Sequence, residues 1–408
     1  IPRFPSNLDR IGKERGYIAP TTVAIGPYYH GMAASELKLM EEIKRTAVDY
    51  FFQGVDKSQE ATYGEIKSMA GHARCCYNDT HALRHITNDE FAEIMFVDGC
   101  FLVQFIDTLL GRSGDASFRR LIHPHTIGVL RDMMLLENQI PWAVMEVLMP
   151  LKSLKVDDVI RLLVDNCLHG TTSNTETEDL VISIDKDYKP SHLLCLIRFF
   201  EAAGNICTGV SSNRSSAARL SGKAVPIYTS AAELAELGID LEASRRRQFS
   251  AMAMEKGPSL FAKLFLAPLN LDATIYCWLV NMAAFEMWTE TAWEDCSVNS
   301  YLSVLSLLMH REEDVRELRV KRIVHGTSSD RQALEFFKDL APGVSEGNAY
   351  WRLIGSLEEY RQKRWLWIAI YRFVYKNSKT IATVLSTVGV LVGIFKALLS
   401  LKQQPAAY

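Results

Sequence analysis

Asp89–Leu110, DEFAEIMFVDGCFLVQFIDTLL, is the stretch on which the fold turns. Phe91, Met95, Phe96, Val97, Phe101, Leu102, Phe105 and Leu109 make it apolar nearly all round, over a length no ordinary strand reaches. A helix that is apolar on every side is either buried in a large core or surrounded by lipid. Asp98, Gln104 and Asp107 are too polar for lipid. The pattern therefore predicts a central buried helix and a mainly α protein. Outward from it, helical spacing recurs at Ser35–Phe51 and Tyr63–Tyr77, then at about 125–138, 141–151 and 155–167, with Pro141 in a first-turn position. Shorter helices are expected at Ser191–Ala203 and Ser230–Leu237, the latter stopped by Gly238. Further ones follow at about 272–289, 297–310, 328–339 and 347–376. Pro2, Pro5, Pro20 and Gly26-Pro27 exclude a long helix from the first thirty residues. In one region the period drops to two: FSAMAMEKG and LFAKLFLAPLNLD alternate, which predicts a small antiparallel β element within about 239–271.

The chain has 408 residues, of which 48% are hydrophobic and 23% charged, the balance of a folded protein with a sizeable core. Residues 1–378 are the expected globular part. Within it 169–190 and 204–223 are polar, Ser/Thr/Gly-rich and aperiodic, the composition of exposed loops. Net charge is −3, yet every charged residue from Arg361 onward is basic, so the body before it is more acidic still. An acidic body excludes nucleic acid as the expected partner, because phosphate binding needs a basic face. Eight cysteines show no Cys-x-x-Cys pair and point to buried thiols in a reducing compartment.

Thr380–Leu401, TIATVLSTVGVLVGIFKALLSL, carries one charge, Lys396, and has the length of a single span. The expectation is a transmembrane helix over 379–402 with a short tail at 403–408. Arg361, Lys363, Arg364 and Lys379 precede it, interleaved with Trp365 and Trp367 as in a membrane-interface belt. Positive residues stay on the cytoplasmic side, so the predicted topology is single-pass and tail-anchored, in the plasma membrane, with a cytoplasmic body and membrane lipid as a partner. The sequons Asn78-Asp79-Thr80 and Asn213-Arg214-Ser215 keep an extracellular body open as the alternative. Gly389 and Gly393 form a G-x-x-x-G, a pattern that permits homodimerisation through the span.

Motifs for chemistry are sparse. No G-x-S-x-G, H-E-x-x-H or phosphate-cradling glycine loop occurs. His81 and His85 lie near Cys75 and Cys76, but no second ligand pair has zinc spacing. No catalytic, cofactor or metal residue is therefore assigned. Glu137-Asn138-Gln139 stand where an apolar stripe meets Pro141, and such groups either satisfy backbone at a helix break or hold a ligand; the first reading is preferred. Asp98 and Glu286 sit on apolar helices and need cationic or backbone partners, with Arg131 and Arg198 as candidates. Gly99 would let two helices approach closely. Tyr28 and His30 belong to Ile25-Gly-Pro-Tyr-Tyr-His-Gly31, read as a rigid turn whose tyrosines plug the core rather than a pocket lining.

Ile1-Pro2-Arg3, Tyr17-Ile-Ala-Pro20, Ile25-Gly-Pro-Tyr-Tyr-His30-Gly31, Asp98-Gly-Cys-Phe101, Leu136-Glu-Asn-Gln-Ile-Pro141 and Asn281-Met-Ala-Ala-Phe-Glu286 occur in this order. Together they resemble the plant-specific domain of unknown function 247 family over essentially the whole chain. The resemblance implies a terminal membrane helix and no established catalytic activity. It also implies kinship with grass members tied to self-incompatibility recognition between pollen and stigma. The functional expectation is a membrane-anchored plant recognition or signalling protein that binds an unidentified protein partner without catalysis. The alternative is a membrane-bound enzyme of the hydrolase class with a spatially assembled site.

Overall fold

The structure, a computed structural model, describes residues 1–32, 34–112, 116–170, 188–202, 229–256, 261–288, 296–363 and 377–402. In chain order the helices are α1 (Asp9–Glu14), α2 (Ser35–Phe52), α3 (Gln59–Cys75), α4 (Asn88–Leu109), α5 (Ala116–Ile122), α6 (Thr126–Asp132) and α7 (Trp142–Leu148). α8 (Val156–Ile160) continues as a π-helix over Arg161–Leu168, and α9 (Leu193–Ala202) and α10 (Ala231–Glu236) follow. Strands β1 (Ile239–Ala243), β2 (Ala253–Lys256), β3 (Ala262–Leu266) and β4 (Leu269–Asn270) come next. After them lie α11 (Ala273–Glu286), α12 (Ser297–Leu308), α13 (Glu312–Val320), β5 (Val324–His325), α14 (Asp330–Leu340), α15 (Asn348–Lys363) and α16 (Ser378–Lys402).

α4 is the axis of the first half, packed by α2, α3 and α7. Its start is fixed by a reciprocal cap. The Glu90 amide donates to Thr87 Oγ1 at 3.2 Å, and the Thr87 amide donates to Glu90 Oε2 at 2.8 Å. Phe91, Phe101 and Phe105 on α4 are fully buried, each contributing about 1.5–3 kcal/mol by leaving water. At Gly99 a Cβ would stand 2.5 Å from Leu148 Cδ1, so the missing side chain is what lets α4 and α7 close up. α11 is the corresponding axis of the second half, buried from Ile275 to Glu286 and contacted by α6, α9 and α12. Among the described residues one apolar cluster takes in members from Ile1 to Tyr360.

The sheet has the order β1-β3-β2. β2 and β3 are antiparallel, in register Ala253↔Phe265 to Lys256↔Ala262, as the alternating sequence requires. β1 follows the Gly238 stop and joins β3 in parallel, Ile239↔Ala262 to Ala243↔Leu266, which makes the sheet mixed. Ala262, Leu264 and Leu266 face the core while Lys263 faces out. β4 and β5 form a separate parallel pair.

The membrane expectation is corrected here. No helix among the described residues is long and apolar enough to cross a membrane. Thr380, Thr383, Ser386 and Thr387 interrupt the apolar run of α16, and Thr387 bonds back to the Thr383 carbonyl at 2.9 Å. The transmembrane helix at 379–402 is thus not supported. With it fall the tail-anchored single-pass topology in the plasma membrane, membrane lipid as partner and pairing through the span. Gly389 and Gly393 have nothing within 4 Å of where a Cβ would stand, so no described segment packs on them. Of the expected interface belt, Lys363 pairs with Glu359 at 2.6 Å and Arg361 with Glu358 at 3.2 Å, both on α15 itself. Arg364, Trp365 and Trp367 lie outside the described residues, as do the side chain of Lys379 and most of the loops at 169–190 and 204–223.

Candidate functional site

The polar residues singled out in the first half converge on one segment, residues 17–31. Asp98 accepts the Gly26 amide at 2.7 Å and the Lys44 ammonium at 2.5 Å. Lys44 also donates to the Ala24 carbonyl at 2.8 Å and pairs with Glu41 at 2.6 Å. Burial pushes the Asp98 carboxyl upward against the pull of Lys44. Burial works equally against the Lys44 ammonium, but Asp98 and Glu41 outweigh it and leave its pKa raised. Asn138 accepts the Ile25 amide at 2.7 Å and donates to the Val23 and Asp132 carbonyls. Gln139 donates to the Met133 and Leu135 carbonyls where the helix breaks. Asp132 accepts three successive amides, Thr21, Thr22 and Val23, at 2.6–3.0 Å. Arg131 pairs with Asp132 at 2.6 Å, so it is not the partner of Asp98.

Glu137 faces the chain start. It accepts from the Phe4 amide at 2.7 Å, from Arg3 at 2.8 Å and from the Tyr29 hydroxyl at 2.8 Å. Arg3 also stacks over the Tyr28 ring at 3.8 Å. Tyr28 packs edge-on against Tyr77, and its hydroxyl accepts from the Asp79 amide at 3.2 Å. His30 is exposed at the end of the turn. In the second half Glu286 pairs with Arg198 at 3.0 Å and accepts the Val298 and Asn299 amides at 3.1 and 2.8 Å, anchoring the start of α12. Burial raises its pKa. The bonding capacity of these carboxylates and amides is directed at the protein's own backbone and at the internal side chains Lys44, Arg3, Tyr29, Arg131 and Arg198.

An open groove lies elsewhere, between residues 250–254 and α15. Its volume is about 370 Å³, and Ala349, Arg352, Leu353 and Ser356 line its helical wall. These positions are spaced i, i+3, i+4, i+7 and so share one face of α15. The opposite wall is Ser250 to Met254, leading into β2, with Arg246 beside it. Arg246 and Arg352 are exposed, and neither guanidinium has an ion-pair partner among the described residues. Their neighbour Arg247, by contrast, is half-buried and neutralised by Asp165 at 3.3 Å. Ser250 is 5% exposed, and its Oγ has no hydrogen-bond partner. A buried hydroxyl left in this state costs about 1–3 kcal/mol. Among the described residues no histidine or carboxylate is hydrogen-bonded to that hydroxyl. The sequence signal for this site was the run Arg245-Arg246-Arg247 beside an alternating segment; Arg352 gave no signal, because only folding brings it there.

Fold and groove together define a mainly helical domain with a small mixed sheet and a cationic, partly apolar groove. The pattern of DUF247, a plant protein family of unknown function, matches residues 1–392, and the chain belongs to that family. It is similar to UPF0481 protein At3g47200 of Arabidopsis thaliana, 24% identical over 346 residues that cover 80% of this chain and 69% of the relative. It is also similar to the putative UPF0481 protein At3g02645 of the same plant, 28% identical over 128 residues, 30% of this chain and 22% of that relative. No solved structure matches.

Proposed function

We propose that this protein is a binding domain whose ligand site is the groove between β2 and α15, and that it acts by holding an anionic, partly apolar ligand rather than by chemical conversion. The observation that carries this reading is that Arg246 and Arg352, neither with an ion-pair partner among the described residues, line one cavity. Guanidinium groups bind carboxylate or phosphate through parallel N–H bonds. Met252, Met254, Ala349 and Leu353 offer an apolar lining, so the ligand carries an apolar group beside its charge. The membrane-anchored recognition protein and the membrane-bound hydrolase both required a span, and both lapse with it. The polar residues Asp98, Glu137, Asn138, Gln139 and Glu286, with Tyr28, support a structural role that fixes loops and helix starts.

Thermal melts in the presence of octanoate, octyl phosphate and octyltrimethylammonium test the reading. The two anions should raise the Tm of the wild type and leave that of an Arg246→Gln/Arg352→Gln variant unchanged, while the cation has no effect. Equal shifts in wild type and variant, or a shift with the cation alone, would remove the groove from the function.

A further inference from the structure

We infer that the physiological occupant of this groove is an extended peptide segment that adds to the free edge of β2 and places an acidic side chain between Arg246 and Arg352. The inference rests on the reading of the groove as the binding site and names its ligand class. β2 is the outer strand of the order β1-β3-β2, and no strand among the described residues pairs with its far edge. In an antiparallel pair only alternate residues point their N–H and C=O at the partner; the others point outward and remain open to a new strand. The groove runs beside this segment, with Ala251 to Met254 on one wall and α15 on the other. An edge strand flanked by a helix is the geometry in which peptides bind by strand addition, the main chain supplying affinity and the helix-side pockets specificity.

Charge and periodicity define the peptide further. Side chains alternate along a strand, so residues i and i+2 enter the groove together. One of them meets two guanidiniums that have no carboxylate partner among the described residues, and the other meets Met252, Met254 and Leu353. The matching segment therefore carries an acidic and an apolar residue two positions apart. Charge complementarity selects a carboxylate, because a lysine or arginine there would face two like charges.

The test uses the full chain and an N-acetylated, C-amidated peptide with the core Val-Thr-Glu-Thr-Val, its Glu→Gln analogue, and an unblocked peptide without the glutamate. Fluorescence anisotropy should show saturable binding of the first peptide. That binding should weaken about tenfold or more with the Glu→Gln analogue and with the Arg246→Gln/Arg352→Gln protein, in line with the strength of charge-assisted bonds. Hydrogen exchange should slow at amides of 253–256 on peptide binding. If octanoate and octyl phosphate bind but the Glu peptide does not, or binds without protecting β2, the peptide inference fails while the groove reading stands. Binding of only the unblocked peptide would move the anion to a chain terminus and overturn the acidic side chain. If neither alkyl anions nor peptides bind, the groove reading itself fails. Circular dichroism confirms that the double variant, altered only at exposed positions, is folded.

Discussion

Replacing Lys44 by methionine should destabilise the protein by about 3–5 kcal/mol at pH 7, the usual cost of removing one member of a buried ion pair. Lys44 and Asp98 are each 1% exposed, so water cannot take over the lost interaction. The ammonium donates to Asp98, Glu41 and the Ala24 carbonyl at 2.5, 2.6 and 2.8 Å. Without it Asp98 keeps the Gly26 amide at 2.7 Å, and the Ala24 carbonyl loses a donor. Burial already raises the Asp98 carboxyl, and Lys44 is the first of the groups that oppose this; in the variant the rise is larger. An unfolded aspartate ionises near pH ~3.9, whereas the folded variant holds its proton to higher pH. Between those two values the folded state binds more protons, so its stability falls as pH rises, by at most about 1.4 kcal/mol per pH unit. The penalty of Lys44→Met is therefore greatest at neutral pH and shrinks as pH falls toward 4. Urea denaturation of wild type and variant in parallel, at several pH values between 4 and 7, measures the difference. A loss below about 1 kcal/mol at pH 7, against the ~3–5 expected of a buried pair, would refute the reasoning. A penalty that is the same across the range would do so too.

Gly99→Val should cost about 1–3 kcal/mol through overpacking, because its Cβ would lie 2.5 Å from Leu148 Cδ1 and 3.0 Å from Val144 Cγ1; a thermal melt unchanged from wild type would contradict the close approach of α4 and α7. Thr87→Ala removes the cap of α4 and should cost ~1 kcal/mol, with hydrogen exchange faster at the amide of Glu90 and its neighbours than at the helix centre. Arg198→Met takes the guanidinium from buried Glu286 and should cost about 3–5 kcal/mol at neutral pH. Burial raises the Glu286 carboxyl, so this loss too should lessen as pH falls toward the ordinary glutamate range, and chemical denaturation at two pH values reads the change.

How much of this was legible beforehand follows from the range of each interaction. The period of Asp89–Leu110 marked the central helix, and the alternation in 249–271 marked β2 and β3, because both patterns are set by neighbours along the chain. α13 (Glu312–Val320) was not expected, since only Val315 and Leu318 among its apolar residues are buried and all the others but the exposed Val320 are charged. β1 falls at the start of the β element expected at 239–271, but its parallel pairing with β3 was not expected. It is short, follows a helix stop, and acquires its identity from pairing with β3, more than twenty positions away. Arg198 was legible as a partner for Glu286, but Asp98 took Lys44 instead of Arg131, and nothing local distinguishes those choices.

The amino-acid sequence by itself determined the helical class, the place of the β element, the buried axis of the first half and the family. Each of these is written in periodicity or in contiguous strings of residues. Tertiary structure alone decided where the polar groups spend their hydrogen bonds and where a ligand has room. Arg246 and Arg352 are separated by more than a hundred residues and meet only because α15 lies against the edge of the sheet. It also set the limit on the C-terminal run, whose composition suggested a span that the described helix does not supply. Hydropathy is a property of a string, whereas a groove and a buried pair are properties of chain segments placed side by side.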